Sequence, residues 1–315
     1  MNTKGKTAAI AATAVLWLFL ADRAFAADNA QRSFTTPQQA ADAAADAIRH
    51  NDNAALAAIL GPGGDTIIQS GDPTADQEER HAFLDAYAES AELVHQNATH
   101  VTLTVGEDEW PMPIPIVKTG SRWVFDTAAG KQELLARRIG RNELFTIESC
   151  LAFVDAQREY ASENRGDGVL DYAQKFVSSP GKEDGLYWPE KAGVPESPLG
   201  PLFADAQAEG YSLHARADGA RQPYHGYYYK ILTAQGPGAS GGAYNYVVKG
   251  HMIGGFALVA WPATYGVTGN TTFLVNQDGA VFEKDLGPRT ADIAAAMTRF
   301  DPVNWSRTRG TIAEK

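Results

Sequence analysis

The chain has 315 residues, with 27 Lys or Arg against 38 Asp or Glu, for a formal net charge of −11. So acidic a surface argues against nucleic acid or anionic lipid as the main partner and is compatible with cationic ligands or divalent ions. With a single cysteine there is no internal disulfide, so stability must come from packed cores, and the length suffices for two.

Residues 1–26 begin with Lys4 and Lys6, continue through an apolar run from Ala8 to Leu20, and end in Ala24-Phe25-Ala26. That is the pattern of a cleaved secretory signal, and the run is shorter than the roughly 20 residues a membrane span needs. Cleavage there would remove Lys4, Lys6, Arg23 and Asp22 and take the net charge from −11 to −13. No later segment is apolar enough to span a bilayer, so the mature chain is expected to lie in a bacterial periplasm without a transmembrane segment.

Thr36-Pro37-Gln38-Gln39 reads as a helix start, with Thr36 as cap, Pro37 at the first position and Gln39 where a capping box wants Glu or Gln. Ala40, Ala44, Ala47 and Ile48 then form a small-residue face. Asp52 caps a second helix that ends at Leu60, before Gly61-Pro62-Gly63-Gly64, and a third helix is expected from about Asp76 to Val94. The period then shortens to two at Val101, Leu103 and Val105. Trp110 to Val117 is strand-like, held to an edge or bulge by Pro111, Pro113 and Pro115, and Gly120 turns the chain into Arg122-Trp123-Val124-Phe125-Asp126. Lys131 to Ile139 reads as a helix broken at Gly140, and Asn142 to Asn164 as a longer one ending before Gly166-Asp167-Gly168. Tyr224 to Gly287 reads as an antiparallel sheet. It contains a flexible Gly-rich loop from Gly236 to Gly242 and a hairpin centred on Asp278-Gly279. The tail from residue 306 is expected to be loose.

The predicted fold is therefore α+β, with N-terminal helices packed on a curved antiparallel sheet (33–130), then a long helix packed on a second antiparallel sheet (131–305). The first part resembles nuclear-transport-factor-2-like, or cystatin-like, domains. The likeness rests on the Ala-rich opening helix, Asn51-Asp52 before the second helix and the closing K-x-G-x-x-W-x-F-D pattern of Lys118 to Asp126. The long helix followed by a Gly-rich sheet resembles the globular part of pilin-like proteins. Asp155, Gln157, Arg158 and Glu159 interrupt what would be the membrane helix of a filament subunit.

Over its mature length the chain resembles a bacterial group, domain-of-unknown-function family 2950. The residues that carry the likeness include Asp171-Tyr172-Ala173-Gln174, Asp184-Gly185-Leu186-Tyr187-Trp188 and Ser197-Pro198-Leu199-Gly200-Pro201-Leu202. Tyr224-His225-Gly226-Tyr227-Tyr228 and Met252-Ile253-Gly254-Gly255-Phe256-Ala257 follow in the same order. The resemblance implies an exported envelope protein and supplies no catalytic residues.

Several constellations remain as candidate sites. Trp188, Tyr224, Tyr227, Tyr228 and Trp261 together suggest an aromatic surface that grips an envelope protein or a glycan, with aromatic core packing as the competing reading. His225, set among tyrosines, has the chemistry of a general base, against a His that is simply hydrogen-bonded at a strand start. A periplasmic, hydrolase-like enzyme would use it, with Cys150 or an acid nearby. Cys150 itself lies in an apolar helical stretch and reads as an inert buried thiol. Asn164, Asp167 and Asp171, with Gly166 and Gly168 allowing a tight turn, offer oxygen ligands of the kind calcium takes, with Asp167 and Asp171 as the candidate ligands, against a helix stop followed by a new cap at Asp167. No other cofactor is implied, and the leading expectation is a non-catalytic binding or assembly factor.

Overall fold

The computed structural model describes residues 31–165, 168–212 and 222–308. Helix α1 (Pro37–Arg49) starts where the sequence places it. The Thr36 hydroxyl accepts the Gln39 N–H at 3.2 Å, while the Gln39 side chain reaches back one residue further than a capping box requires, to Thr35. α2 (Asn53–Leu60) is capped by Asp52, which accepts the Ala55 N–H at 2.9 Å. α3 (Asp65–Ile68) is a single turn, and α4 (Pro73–Glu89) follows it. The expected third helix thus begins earlier, because Asp72-Pro73 repeats the cap-and-proline start of Thr36-Pro37. It also ends earlier, so Val94 lies in a strand.

The first sheet is antiparallel, with β1 (Ala91–His95), β2 (His100–Val105), β3 (Trp110–Pro111), β4 (Ile116–Thr119) and β5 (Arg122–Phe125). Its order is β1-β2-β4-β5, with β3 also paired to β2. The prolines split the expected 110–117 strand into β3 and β4, since proline has no N–H to give the ladder. Val101, Leu103 and Val105 share a first core with the alanine face of α1, Trp123 and Phe125.

Helix α5 (Thr127–Tyr160) runs unbroken for 34 residues, capped by Asp126 on the Ala129 N–H. Gly140 does not break it. A glycine costs a helix only about 1 kcal/mol, less than the packing of a helix that touches α3 at one end and the second sheet further along. α6 (Gly200–Ala208) follows.

The C-terminal strands are β6 (Tyr227–Leu232), β7 (Ala234–Gln235), β8 (Tyr244–Asn245), β9 (Val247–Val248), β10 (His251–Met252), β11 (Ala257–Pro262), β12 (Thr271–Asn276) and β13 (Val281–Asp285). α7 (Thr290–Ala296), β14 (Arg299–Phe300) and β15 (Ser306–Arg307) close the chain. The main sheet has the order β15-β13-β12-β11-β6 and is antiparallel throughout. β12 and β13 form the hairpin expected around Asp278-Gly279, with Val275 opposite Val281. Every residue of β11 is buried, as expected of a central strand that both α5 and α7 contact. No helix among the described residues is long and apolar enough to cross a membrane.

Two expectations are corrected here. Ser306 and Arg307 pair with β13, and the Thr308 N–H donates to Val281, so 306–308 are held to the sheet, while the rest of the expected loose tail, 309–315, lies outside the described residues. The Gly-rich loop is packed, not free. A Cβ on Gly236 would run into Asp301 and one on Gly238 into Val303, while the buried Gln235 amide donates to Ser240 O (2.6 Å) and Gly242 O (2.7 Å).

Candidate functional site

Helix α6, β6, the C-terminal half of α5 and the 174–176 segment line a half-open cavity of about 560 Å³, within the usual range for small-molecule sites. Its walls are mostly apolar. α6 supplies Leu202, Phe203 and Ala206, and β11 supplies Leu258. Aromatic rings close one side. Tyr211 meets Tyr224 edge-on at 5.1 Å and 74°, and Tyr224 lies 6.5 Å from Tyr229 at 50°.

Behind Tyr211 and Tyr224 lies a group of ionisable side chains. Asp72, only 1% exposed, uses one carboxylate oxygen to cap α4, accepting the Thr74 and Ala75 N–H groups at 3.2 Å each. Its other oxygen accepts the Tyr211 hydroxyl at 3.0 Å and the Gly226 N–H at 2.7 Å. One carboxylate thus ties the first helical layer to the start of β6. Burial raises its pKa even though these four donors pull the other way. Gly226 has no substitute at this clasp, since its φ is +75° and a Cβ would press on Asn142 and Thr268.

Its neighbour His225 also sits at positive φ (46°), unusual for a non-glycine residue. Its ring stacks on Phe145 at 4.3 Å and 9°, and its backbone N–H donates to the Tyr211 hydroxyl at 3.1 Å. Nε2 is 3.1 Å from Glu209 Oε2, and that buried oxygen accepts no hydrogen bond from the described residues. Burial raises the Glu209 pKa, and the carboxylates of Glu78 and Asp205 add to it. Burial first, then the Arg141 guanidinium, lowers the His225 pKa to about 4, so the imidazole is neutral at pH 7. A neutral imidazole facing a carboxyl group that holds its proton more tightly than usual is an arrangement able to move a proton.

The sign of the His225 shift predicts a pH effect. A depressed folded pKa gives stability that is fully present above the unfolded value, near 6.5, and is lost as pH falls through about 4. Between pH 7 and 4, wild type is expected to lose about 2 kcal/mol more than His225→Asn in urea unfolding. Asparagine tolerates the left-handed backbone. Glu209, Glu78 and Asp72, whose raised pKa values act in the opposite direction, are common to both proteins. Parallel pH profiles would show that His225 titrates as an ordinary exposed imidazole.

A family profile described as a protein of unknown function, DUF2950, matches residues 31–308. The chain belongs to the DUF2950 family. No curated protein and no solved structure matches it, so the resemblances to nuclear-transport-factor-2-like and pilin-like domains have no structural neighbour behind them.

In this DUF2950 protein the five aromatics read as one surface divide in two. Tyr224 and Tyr228 line the cavity. Trp188, Tyr227 and Trp261 do not form an exposed face, because they are 5%, 0% and 3% exposed and belong to the second core. The Tyr227 hydroxyl donates to Thr271 O at 3.0 Å, and the Trp188 indole donates to Pro195 O at 3.0 Å while Arg165 lies over its ring. Cys150 is fully buried and its thiol is pushed up to about 12, which leaves no thiolate for nucleophilic attack. Asp171 pairs with His251, Oδ2 to Nδ1 at 3.0 Å. Asp167 lies outside the described residues, and the described residues contain no group of three or more His, Cys, Asp or Glu placed to hold a metal ion.

Asp72, Glu209 and Tyr211 are the site residues that sequence reading missed. Only Asp72 has a local signal, the Asp-Pro helix start. Glu209 and Tyr211 follow α6 and bear on the site through contacts distant in sequence.

Proposed function

We propose that this DUF2950 member is an exported cell-envelope protein that binds a small, largely apolar molecule in the cavity beneath α6 and performs no chemistry on it. The observation that carries the reading is the cavity itself, ligand-sized and apolar, with aromatic rings along one side. The signal-like pattern of residues 1–26 supports export, and the acidic surface supports a partner other than nucleic acid.

Leu202→Trp tests the binding reading by filling the cavity from the α6 side. The neutral fluorophore N-phenyl-1-naphthylamine is expected to bind wild type saturably at one equivalent. The substitution is expected to weaken that binding at least tenfold, about 1.4 kcal/mol, with an unchanged melting temperature. Absence of saturable binding to wild type would overturn the proposal.

A second reading, a periplasmic hydrolase-like enzyme, draws support from the His225–Glu209 contact and its opposed pKa shifts. It predicts turnover of simple chromogenic esters that disappears in His225→Asn. Binding without turnover favours the first reading.

A further inference from the structure

We infer that the cavity takes a short extended peptide with apolar side chains, which adds a strand to the open edge of β6; this rests on the binding reading above and names the class of ligand. β6 stands at the end of the main sheet, and its ladder partner is β11. Tyr228, Tyr229, Lys230 and Ile231, consecutive in the strand, all line the cavity. Neighbouring side chains of a strand point to opposite faces, so the cavity follows the edge of β6 and not one face of the sheet. At about 3.4 Å per residue this edge has room for about four residues of extended chain.

The register decides which backbone groups the edge leaves open. The Ala263 N–H donates to Gly226 O at 2.8 Å, and Tyr227 stands opposite Pro262. The backbone groups of successive residues in an antiparallel strand face its two sides alternately. Tyr228, Lys230 and Leu232 therefore turn theirs to β11, and Tyr227, Tyr229, Ile231 and Thr233 turn theirs away. Tyr227 exchanges both of its bonds with Tyr224, at 2.9 and 3.1 Å, and Thr233 O accepts the Tyr246 N–H at 2.8 Å. Between those two positions, the N–H and C=O groups of Tyr229 and Ile231 have no hydrogen bond to any described residue.

An apolar molecule that filled the cavity would displace the water serving these groups and leave them without partners, at a cost to its own binding. A second extended backbone supplies matching donors and acceptors along the same edge, which is the way peptides add strands to sheets. Its side chains would alternate between the two sides of β6. Leu258, across from Ile231, lies on one side. Leu202, Phe203 and Ala206 of α6 give further apolar contact.

The test uses the wild-type chain and the capped peptide acetyl-Val-Thr-Leu-Thr-Val-amide in three forms: unmodified, N-methylated at the valines and leucine, and N-methylated at the threonines. A strand docked by one edge uses every other N–H. The unmodified peptide is expected to displace N-phenyl-1-naphthylamine. One methylated form is expected to lose at least tenfold in affinity, and the other to match the parent. Amide hydrogen exchange at Tyr229 and Ile231 is expected to be fast in the free protein and at least tenfold slower with the peptide. Equal affinity of the two methylated forms would overturn the strand pairing. Slow exchange at both amides in the free protein would show that the edge is already covered, and slowing on concentrating the protein alone would assign it to a second copy; either result overturns the inference. If none of the peptides displaced N-phenyl-1-naphthylamine, the inference would fall and the binding reading would stand. Failure of N-phenyl-1-naphthylamine itself would remove that reading, and the inference with it.

Discussion

Replacing Asp72 with alanine is expected to lower the unfolding free energy by about 3–4 kcal/mol. The helix cap is worth about 1 kcal/mol. Loss of the carboxylate also strands two buried donors, the Tyr211 hydroxyl and the Gly226 N–H, at about 1–3 kcal/mol each. Relief of a desolvated carboxyl, whose pKa burial has raised, offsets part of that sum. Asp72→Asn keeps the shape and one acceptor oxygen, so it can satisfy the cap or the clasp but not both, and is expected to cost about half as much. Tyr211→Phe removes one bond and should cost about 1 kcal/mol. Urea unfolding with an unchanged m-value measures all three. A cost below 1 kcal/mol for Asp72→Ala would mean that water replaces the clasp at no loss. If the clasp matters as the geometry implies, Asp72→Ala should also loosen the aromatic wall, because Tyr211 both closes the cavity and bonds to Asp72.

Features that depend on bonds three or four residues apart were legible in the sequence. Thr36 and Asp52 cap the helices they precede because each bond stays within one turn. The Asp278-Gly279 hairpin is equally local. The change from helical to alternating apolar spacing found β2 with its buried Val101, Leu103 and Val105. Gly140 misled because a single glycine is a weak signal against a long packed helix. The candidate site was hidden for a different reason. Asp72 reaches its partners Tyr211 and Gly226 across 139 and 154 residues, and no local pattern encodes such a distance. His225 was visible as an unusual histidine, but Glu209, which gives it a chemical neighbour, was not. The aromatics failed in another way. Trp and Tyr are as frequent in cores as at interfaces, and composition alone does not separate the two. The apolar run Ala257 to Pro262 forms β11, every residue of which is buried, and it contains Trp261.

That distinction between core and cavity wall leads to the second large effect. Trp261→Ala is expected to destabilise the protein by about 3–5 kcal/mol, the usual cost of emptying a buried tryptophan site. Trp261 is 3% exposed on an interior strand of the main sheet, opposite Tyr228 in the β11–β6 register and 5.8 Å from its ring. Tyr224→Leu, on the cavity wall, keeps an apolar side chain at a half-buried position and is expected to cost less than 1.5 kcal/mol. The two substitutions should therefore separate in opposite senses. Trp261→Ala lowers the melting temperature markedly, and the fraction still folded retains affinity for N-phenyl-1-naphthylamine. Tyr224→Leu leaves the melting temperature nearly unchanged and weakens the binding of N-phenyl-1-naphthylamine. A capture experiment that scored only loss of partner would read the unfolding of Trp261→Ala as a lost contact, so thermal melts must accompany it. If Trp261→Ala kept wild-type stability and lost only binding, the indole would be a ligand contact and its place in the core would be wrong.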